Sequence, residues 1–280
     1  MQILNLANLE KSDIKYHISH FPDGEVQITL DEFSHKDEIN IKCRITNTED
    51  LFILMQVADI LVRHGMYFSI SIYYLMGMRM DRVMDFNRPF TLKMIVNILD
   101  NLGAFQINIF CSHSDTSINL FRKTDVCNIL SDEWETGTFE VIRHNPQILL
   151  PDAGAVKRYS TDFKVFKVLI GEKVRDLSNG LIQSIGIKNP EDIDGRSILL
   201  IDDLCDGGNT FVGLANVIRE IDPKAVINIV VNHMVNPKGI ENLSKTFNHI
   251  WFSNSYRDWK KYYEDNNLKF PENITQIEVI

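Results

Sequence analysis

Two aspartates stand side by side in the stretch IDDLCDGGNTF, Ile201 to Phe211. An apolar run, SILLI, precedes them, and an amphipathic run, FVGLANVIREI, follows. The pattern predicts a buried strand that ends on Asp202 and Asp203 and then turns into a helix. In open α/β sheets, ligands bind beyond the carboxyl ends of the strands. Carboxylate oxygens placed there accept hydrogen bonds from paired hydroxyls, such as those of a ribose. The turn itself is Asp206, Gly207, Gly208, Asn209 and Thr210. Its glycines let the backbone approach a ligand closely. Free amides at the helix start favour a phosphate. The stretch therefore reads as a sugar-phosphate cradle, with hydroxyls on the aspartates and phosphate on the amides and Thr210. The plainer alternative is a strand-to-helix turn capped by Asp206. Paired acids, paired glycines and a threonine after an apolar run favour the cradle.

Weaker signals lie elsewhere. PDAGAVKR follows QILL, again at a predicted strand end, and offers Asp152 to a magnesium ion or a hydroxyl. Alone it reads more readily as a turn flanked by Lys157 and Arg158. His113 follows the predicted strand FQINIFC. Lys173 and Arg175 lie in GEKVRD. FPDGEV spans Phe21 to Val26, and GMRMDR spans Gly77 to Arg82. Each has an ordinary structural explanation by itself: a strand-end histidine, solvated charges, a turn before a strand, a charged loop.

Alternating strands and helices position these residues. Residues 3–6, 15–20 and 25–30 read as strands. A capping box from Thr46 to Glu49 opens a helix that stops at Gly65. YFSISIYYLM is a buried strand, GMRMDRVMDFNRP a loop, FTLKMIVNILDNLG a helix and FQINIFC a strand. After residue 145 the alternation resumes. QILLP is a strand, and KVFKVLIGEK is a strand ending in a polar loop. SILLIDD, AVINIVVNH and HIWFS are further strands, the last of them the final core strand. GNTFVGLANVIRE and KGIENLSKTF are the helices between them. Such alternation argues for α/β architecture, with largely parallel sheets and helices on both faces. The expected domains are 1–143 and 144–280.

Bulk properties bound the function. The 280 residues are 44% hydrophobic and 24% charged, with a net charge of -9. An acidic balance argues against bulk nucleic acid as a partner. No apolar run approaches the ~20 residues that span a bilayer. The first residues show no basic region followed by an apolar stretch, so no secretory signal is expected. The four cysteines fall at no CxxC spacing and fit a reducing cytoplasm.

Taken in order, the motifs HFPDGEV, GMRMDR with RPFTLK, the strand-end histidine, LPDAGAVKR, KVR and IDDLCDGGNTF resemble the ribose-phosphate pyrophosphokinases, also called phosphoribosyl pyrophosphate synthetases. The likeness runs over nearly the whole chain. It implies two tandem phosphoribosyltransferase-like domains. It also implies transfer of the β,γ-diphosphate of ATP to the anomeric hydroxyl of ribose 5-phosphate. Phe21, Asp23 and Glu25 match a loop that contacts the nucleotide of a neighbouring subunit, which implies a homodimer or larger homo-oligomer. Arg79, with Met80 and Asp81, matches a loop on the ATP phosphates. His113 and Asp152 match the magnesium and substrate sites. Lys173 and Arg175 match a mobile catalytic loop, and residues 202–210 match the ribose-5-phosphate cradle. The chain departs from the pattern in three places. Met80 replaces a glutamine, Cys111 an aspartate, and DGGNT the usual DTAGT. The slimmer cradle leaves ADP-ribose as an alternative acceptor, which would serve NAD synthesis. A phosphoribosyltransferase would not need FPDGEV and GMRMDR. A non-catalytic homologue should lack cations and acids that are all present here.

Overall fold

The structure is a computed structural model that describes residues 1–127, 142, 144–175 and 182–280. The chain forms two compact units, Met1–Ile129 with Val279–Ile280, and Leu130–Glu278. The boundary expected between 143 and 144 falls beside residues outside that description. No described helix is long and apolar enough to cross a membrane.

The first unit contains β1 (Gln2–Asn5), β2 (Tyr16–His20), β3 (Val26–Leu30), β4 (Ile39–Ile45), α1 (Thr48–Arg63), β5 (Phe68–Leu75), α2 (Thr91–Leu99), β6 (Gln106–Phe110), α3 (Asp115–Leu120) and β7 (Thr124–Cys127). Its parallel sheet runs β1-β4-β5-β6-β7, while β2 and β3 form a separate antiparallel hairpin. Ile41 lies opposite Ile70, and Ile70 opposite Ile107, so β-branched side chains stack across the sheet centre. Asn40 donates to the hydroxyls of Ser69 and Ser71 at 2.8 and 3.0 Å, which satisfies polar groups buried in the same sheet. Strand β4 adds to the elements expected from sequence. Lys42 and Arg44 alternate with its apolar residues, the period-2 pattern of a strand.

Helix α1 buries Leu51, Leu54, Ala58 and Leu61 along one stripe. Its cap differs by one residue from the expected box. Asn47 is the N-cap, and its Oδ1 accepts the amides of Glu49 and Asp50 at 2.8 and 3.0 Å. Asp50 replies by accepting the Asn47 amide at 3.3 Å. The Thr46 hydroxyl donates to the same Asp50 carboxylate at 2.6 Å, so it supports the box from outside.

The second unit contains β8 (Gln147–Leu150), α4 (Ala153–Tyr159), β9 (Val168–Arg175), β10 (Ile182–Ile187), β11 (Ile198–Cys205), α5 (Asn209–Ile221), β12 (Ile227–Met234), α6 (Pro237–Ser244), β13 (His249–Ser253), α7 (Trp259–Asp265) and β14 (Ile274–Ile277). Its strands run in the order β10-β9-β8-β11-β12-β13-β14. Neighbours are parallel except β9 and β10. Strands β8 and β12 are buried along their whole length and mostly apolar, as expected of strands covered on both faces. Leu200 sits between Leu149 and Ile229, and Leu214, Ala215 and Ile218 of α5 join the same core.

Two expectations change here. HIWFS is not the last strand, because β14 pairs outside it. The KVR segment stands on β9 rather than in a loop, because the strand continues through Lys173 and pairs with β10. The loop DLSNG lies outside the described residues.

The capping geometry gives a stability test. Asn47→Ala removes the acceptor for two first-turn amides and should cost about 1 kcal/mol in chemical denaturation. An unchanged midpoint would remove the cap from the account of α1.

Candidate active site

Strand β11 carries the acid pair. Its ladder with β8 spans Ile198 to Leu200, while its ladder with β12 runs on to Cys205. The aspartates therefore lie beyond the end of the β8 ladder, at the carboxyl edge of the sheet. Asp203 is buried, at 2% exposure, and Asp202 is half-buried. Arg158 of α4 faces both. Its Nη1 lies 2.7 Å from Asp203 Oδ1 and 3.4 Å from Asp202 Oδ1. Asp202 Oδ1 also accepts the Asp203 amide at 2.9 Å. Burial pushes the Asp202 carboxyl well up, the negative charge of Asp203 adds to the rise, and Arg158 opposes both.

The other end of α4 is built on Asp152. Its Oδ1 accepts the amides of Gly154 and Ala155 at 2.9 and 3.0 Å and so caps the helix. Its Oδ2 pairs with the Lys173 ammonium from β9. Burial raises this carboxyl, but Lys173 and the two amides outweigh burial and hold it below the ordinary value. Arg175 ends the same strand. One short helix thus joins the lysine at its start to the acid pair at its end.

The glycine turn continues β11 into α5. Gly208, at φ +76, occupies the N-cap position, so Asp206 is not the cap. Only glycine takes this left-handed conformation without strain. The helix ladder begins with the Val212 amide on the Gly208 carbonyl at 3.0 Å, which leaves earlier amides to another acceptor. Asp206 and Gly207 are tied to α6. Asn236 Nδ2 donates to Asp206 Oδ1 at 2.9 Å, and Asn242 Nδ2 donates to the Gly207 carbonyl at 2.8 Å. A Cβ on Gly239 would stand 2.1 Å from the Asp206 carbonyl oxygen, so α6 packs backbone to backbone beneath the turn. Asn209 is exposed and Thr210 half-buried at the open end.

In the first unit, Asp81 is buried and bonded in bidentate fashion to Arg82, at 2.7 and 2.9 Å. Arg82 holds its carboxyl down at about 2, and His113 adds to the lowering by its charge. Arg79 is exposed and Met80 half-exposed on the same loop. Cys111, two residues before His113, has a left-handed backbone at φ 59. Phe21, Asp23 and Glu25 occupy the exposed tip of the β2–β3 hairpin. The tip is closed by the Phe21 amide on the Glu25 carbonyl at 2.8 Å.

Arg158, Asn236, Gly239 and Asn242 escape sequence reading as site residues. Arg158 is visible only as a charge beside a turn, and the others carry no chemical signature before α6 is placed.

Residues 140–261 match the phosphoribosyl transferase domain. The ribose-phosphate pyrophosphokinase of Pyrococcus abyssi is 26% identical over 264 residues, spanning 90% of this chain and 85% of its own. That of Helicobacter hepaticus is 26% identical over 251 residues, spanning 85% and 78%. Over most of its length the chain is similar in sequence to ribose-phosphate pyrophosphokinases. The fold likeness is direct. The crystal structure of phosphoribosylpyrophosphate synthetase from Mycobacterium smegmatis superimposes with a TM-score of 0.79 at 17% identity, covering 100% of this chain and 95% of that one.

Two tests follow from the packing. Gly239→Ala forces a clash with backbone that cannot yield, and should lower stability by about 1–3 kcal/mol. A normal melting temperature would contradict the close packing. Asp81 has a folded value near 2, below the usual 3.8, so the unfolded chain binds its proton first on acidification. Its contribution is complete above the unfolded value and is lost as pH falls through about 2. Asp81→Asn should therefore flatten acid denaturation in that window, and an unaltered pH slope would sink the Arg82 pairing.

Proposed function

We propose that the protein transfers the β,γ-diphosphate of ATP to the anomeric hydroxyl of ribose 5-phosphate, releasing AMP. The observation that carries this reading is one strand, β11, that presents an acid pair and runs directly into a glycine turn opening a helix. The acids suit the 2- and 3-hydroxyls, and the turn amides with Thr210 suit the 5-phosphate. Held at both ends, the sugar offers its anomeric oxygen as a positioned nucleophile. Lys173, paired with Asp152 when no phosphate is near, is placed to exchange that partner for the transferring diphosphate and to neutralise its charge. Arg175 would add a second cation, and the loop of Arg79, Met80 and Asp81 would receive ATP with the hairpin tip of Phe21, Asp23 and Glu25.

Magnesium in such a site keeps several waters and leans on substrate phosphates, so it asks the protein for only one or two ligands. Asp152 offers one in the second unit, and His113 offers one in the first. Among the described residues, no three His, Cys, Asp or Glu side chains gather as a cage, which suits an ion that arrives with the nucleotide. Bound there, it would neutralise charge on the phosphates. We further propose a homo-oligomer in which the hairpin tip completes a neighbour's nucleotide site, and a cytoplasmic reaction, in keeping with buried thiols at Cys43 and Cys205.

One observation favours a larger acceptor. A Cβ at Gly207 would meet nothing within 4 Å, so the turn has an open side where the AMP group of ADP-ribose could extend. The test supplies Mg·ATP with each acceptor and follows products by mass spectrometry. Diphosphorylated ribose 5-phosphate with AMP is expected. Product from ADP-ribose alone would change the acceptor, and ADP as the nucleotide product would overturn diphosphate transfer. Lys173→Ala should lower kcat by about 100-fold or more with little change in Tm. Chelation of magnesium should abolish turnover reversibly.

A further inference from the structure

We propose that Arg158 is a positioning residue that sets how many acceptor hydroxyls the aspartate pair can receive. The inference rests on the sugar-phosphate reading of β11 and deepens it.

The geometry is specific. One nitrogen, Nη1, reaches Asp203 at 2.7 Å and Asp202 at 3.4 Å, so a single cation serves both acids. The Arg158 side chain is 20% exposed, and that of Asp203 is 3% exposed. The guanidinium is held in place from behind. It lies 5.5 Å from the centroid of the Tyr159 ring, and Tyr159 is itself buried with its hydroxyl receiving Asn232 Nδ2 at 3.3 Å. Arg158 approaches from α4, outside the strand that carries the acids. It can therefore neutralise them without occupying the turn that receives phosphate.

Two carboxylates on adjacent residues, withdrawn from water, tend to share one proton. The protonated acid then donates instead of accepting, and the pair loses an acceptor for a sugar hydroxyl. A fixed guanidinium between them opposes that shared proton and so favours both as acceptors. Without it, the 2- and 3-hydroxyls compete for fewer acceptor oxygens. An acceptor lacking the 2-hydroxyl loses little by that change, while the full ribose loses one charge-assisted hydrogen bond.

The test compares kcat/KM for the ribose acceptor that the wild type uses with kcat/KM for its 2-deoxy counterpart. Wild type, Arg158→Lys and Arg158→Met are measured, and folding is checked by circular dichroism and Tm. In Arg158→Met, the preference for ribose should fall by about tenfold or more, the worth of one hydrogen bond to a charged group. The fall should appear mainly as a higher KM for the ribose acceptor. Arg158→Lys keeps a charge without the planar fork and should retain part of the preference. An unchanged ribose-to-deoxyribose ratio in folded Arg158→Met overturns the proposal even if both activities drop together, because a merely structural arginine would lower both alike. Should the methionine variant not fold, the ratio in Arg158→Lys decides, and a wild-type ratio there overturns the proposal. Wild type that turns over neither acceptor would contradict the proposed function instead, and is read before any variant.

Discussion

The second unit is organised around two like charges that water cannot screen. Asp202 and Asp203 stand together at the carboxyl edge of the sheet, and burial makes their joint ionisation costly. Their positions are fixed by an apolar strand that the core requires, so the charge must be met from outside that strand. Arg158 meets it. To bring Arg158 there, α4 must start where β8 ends, and Asp152 makes that start by capping the helix. The same carboxylate holds Lys173 on β9. The acids therefore constrain a helix, the helix constrains an ion pair, and the ion pair locates the lysine.

The glycine turn depends on a different kind of constraint, which is steric. Its Gly207 carbonyl is held toward α6 by Asn242, and its Asp206 side chain is held by Asn236. Gly239 allows the two backbones to touch. With the carbonyl side used up against α6, the amide side is left for an anion. The proposed phosphate site would thus be a product of packing as much as of charge, which is how an acidic chain with net charge -9 would receive a phosphate.

Much of this was legible in the sequence, for physical reasons. The run SILLI has no reading except a buried strand, and the glycine pair marks a turn into a helix, so Asp202, Asp203 and Gly208 could be placed without coordinates. The two βαβ series gave the architecture for the same reason. Other elements were masked. IQSIGI lacks the apolar density of a central strand because β10 is an edge. Strand β14 follows a polar segment and was not separated from the chain end. Arg158 was invisible because its partners lie 44 and 45 residues away, and only the folding of α4 against β11 joins them. Asn242 was invisible for the same reason, since its partner Gly207 lies 35 residues away.

The central claim is that β11 binds a phosphorylated sugar by its two ends, through the acid pair and the turn. Calorimetric titration of the protein with ribose 5-phosphate, in parallel with ribose and with inorganic phosphate, tests this without any catalytic step. Binding of ribose 5-phosphate should be tighter than that of either fragment, and should be lost in an Asp202→Asn, Asp203→Asn double variant that keeps its wild-type Tm. Equal binding by inorganic phosphate and ribose 5-phosphate, or wild-type affinity in the double variant, would contradict it.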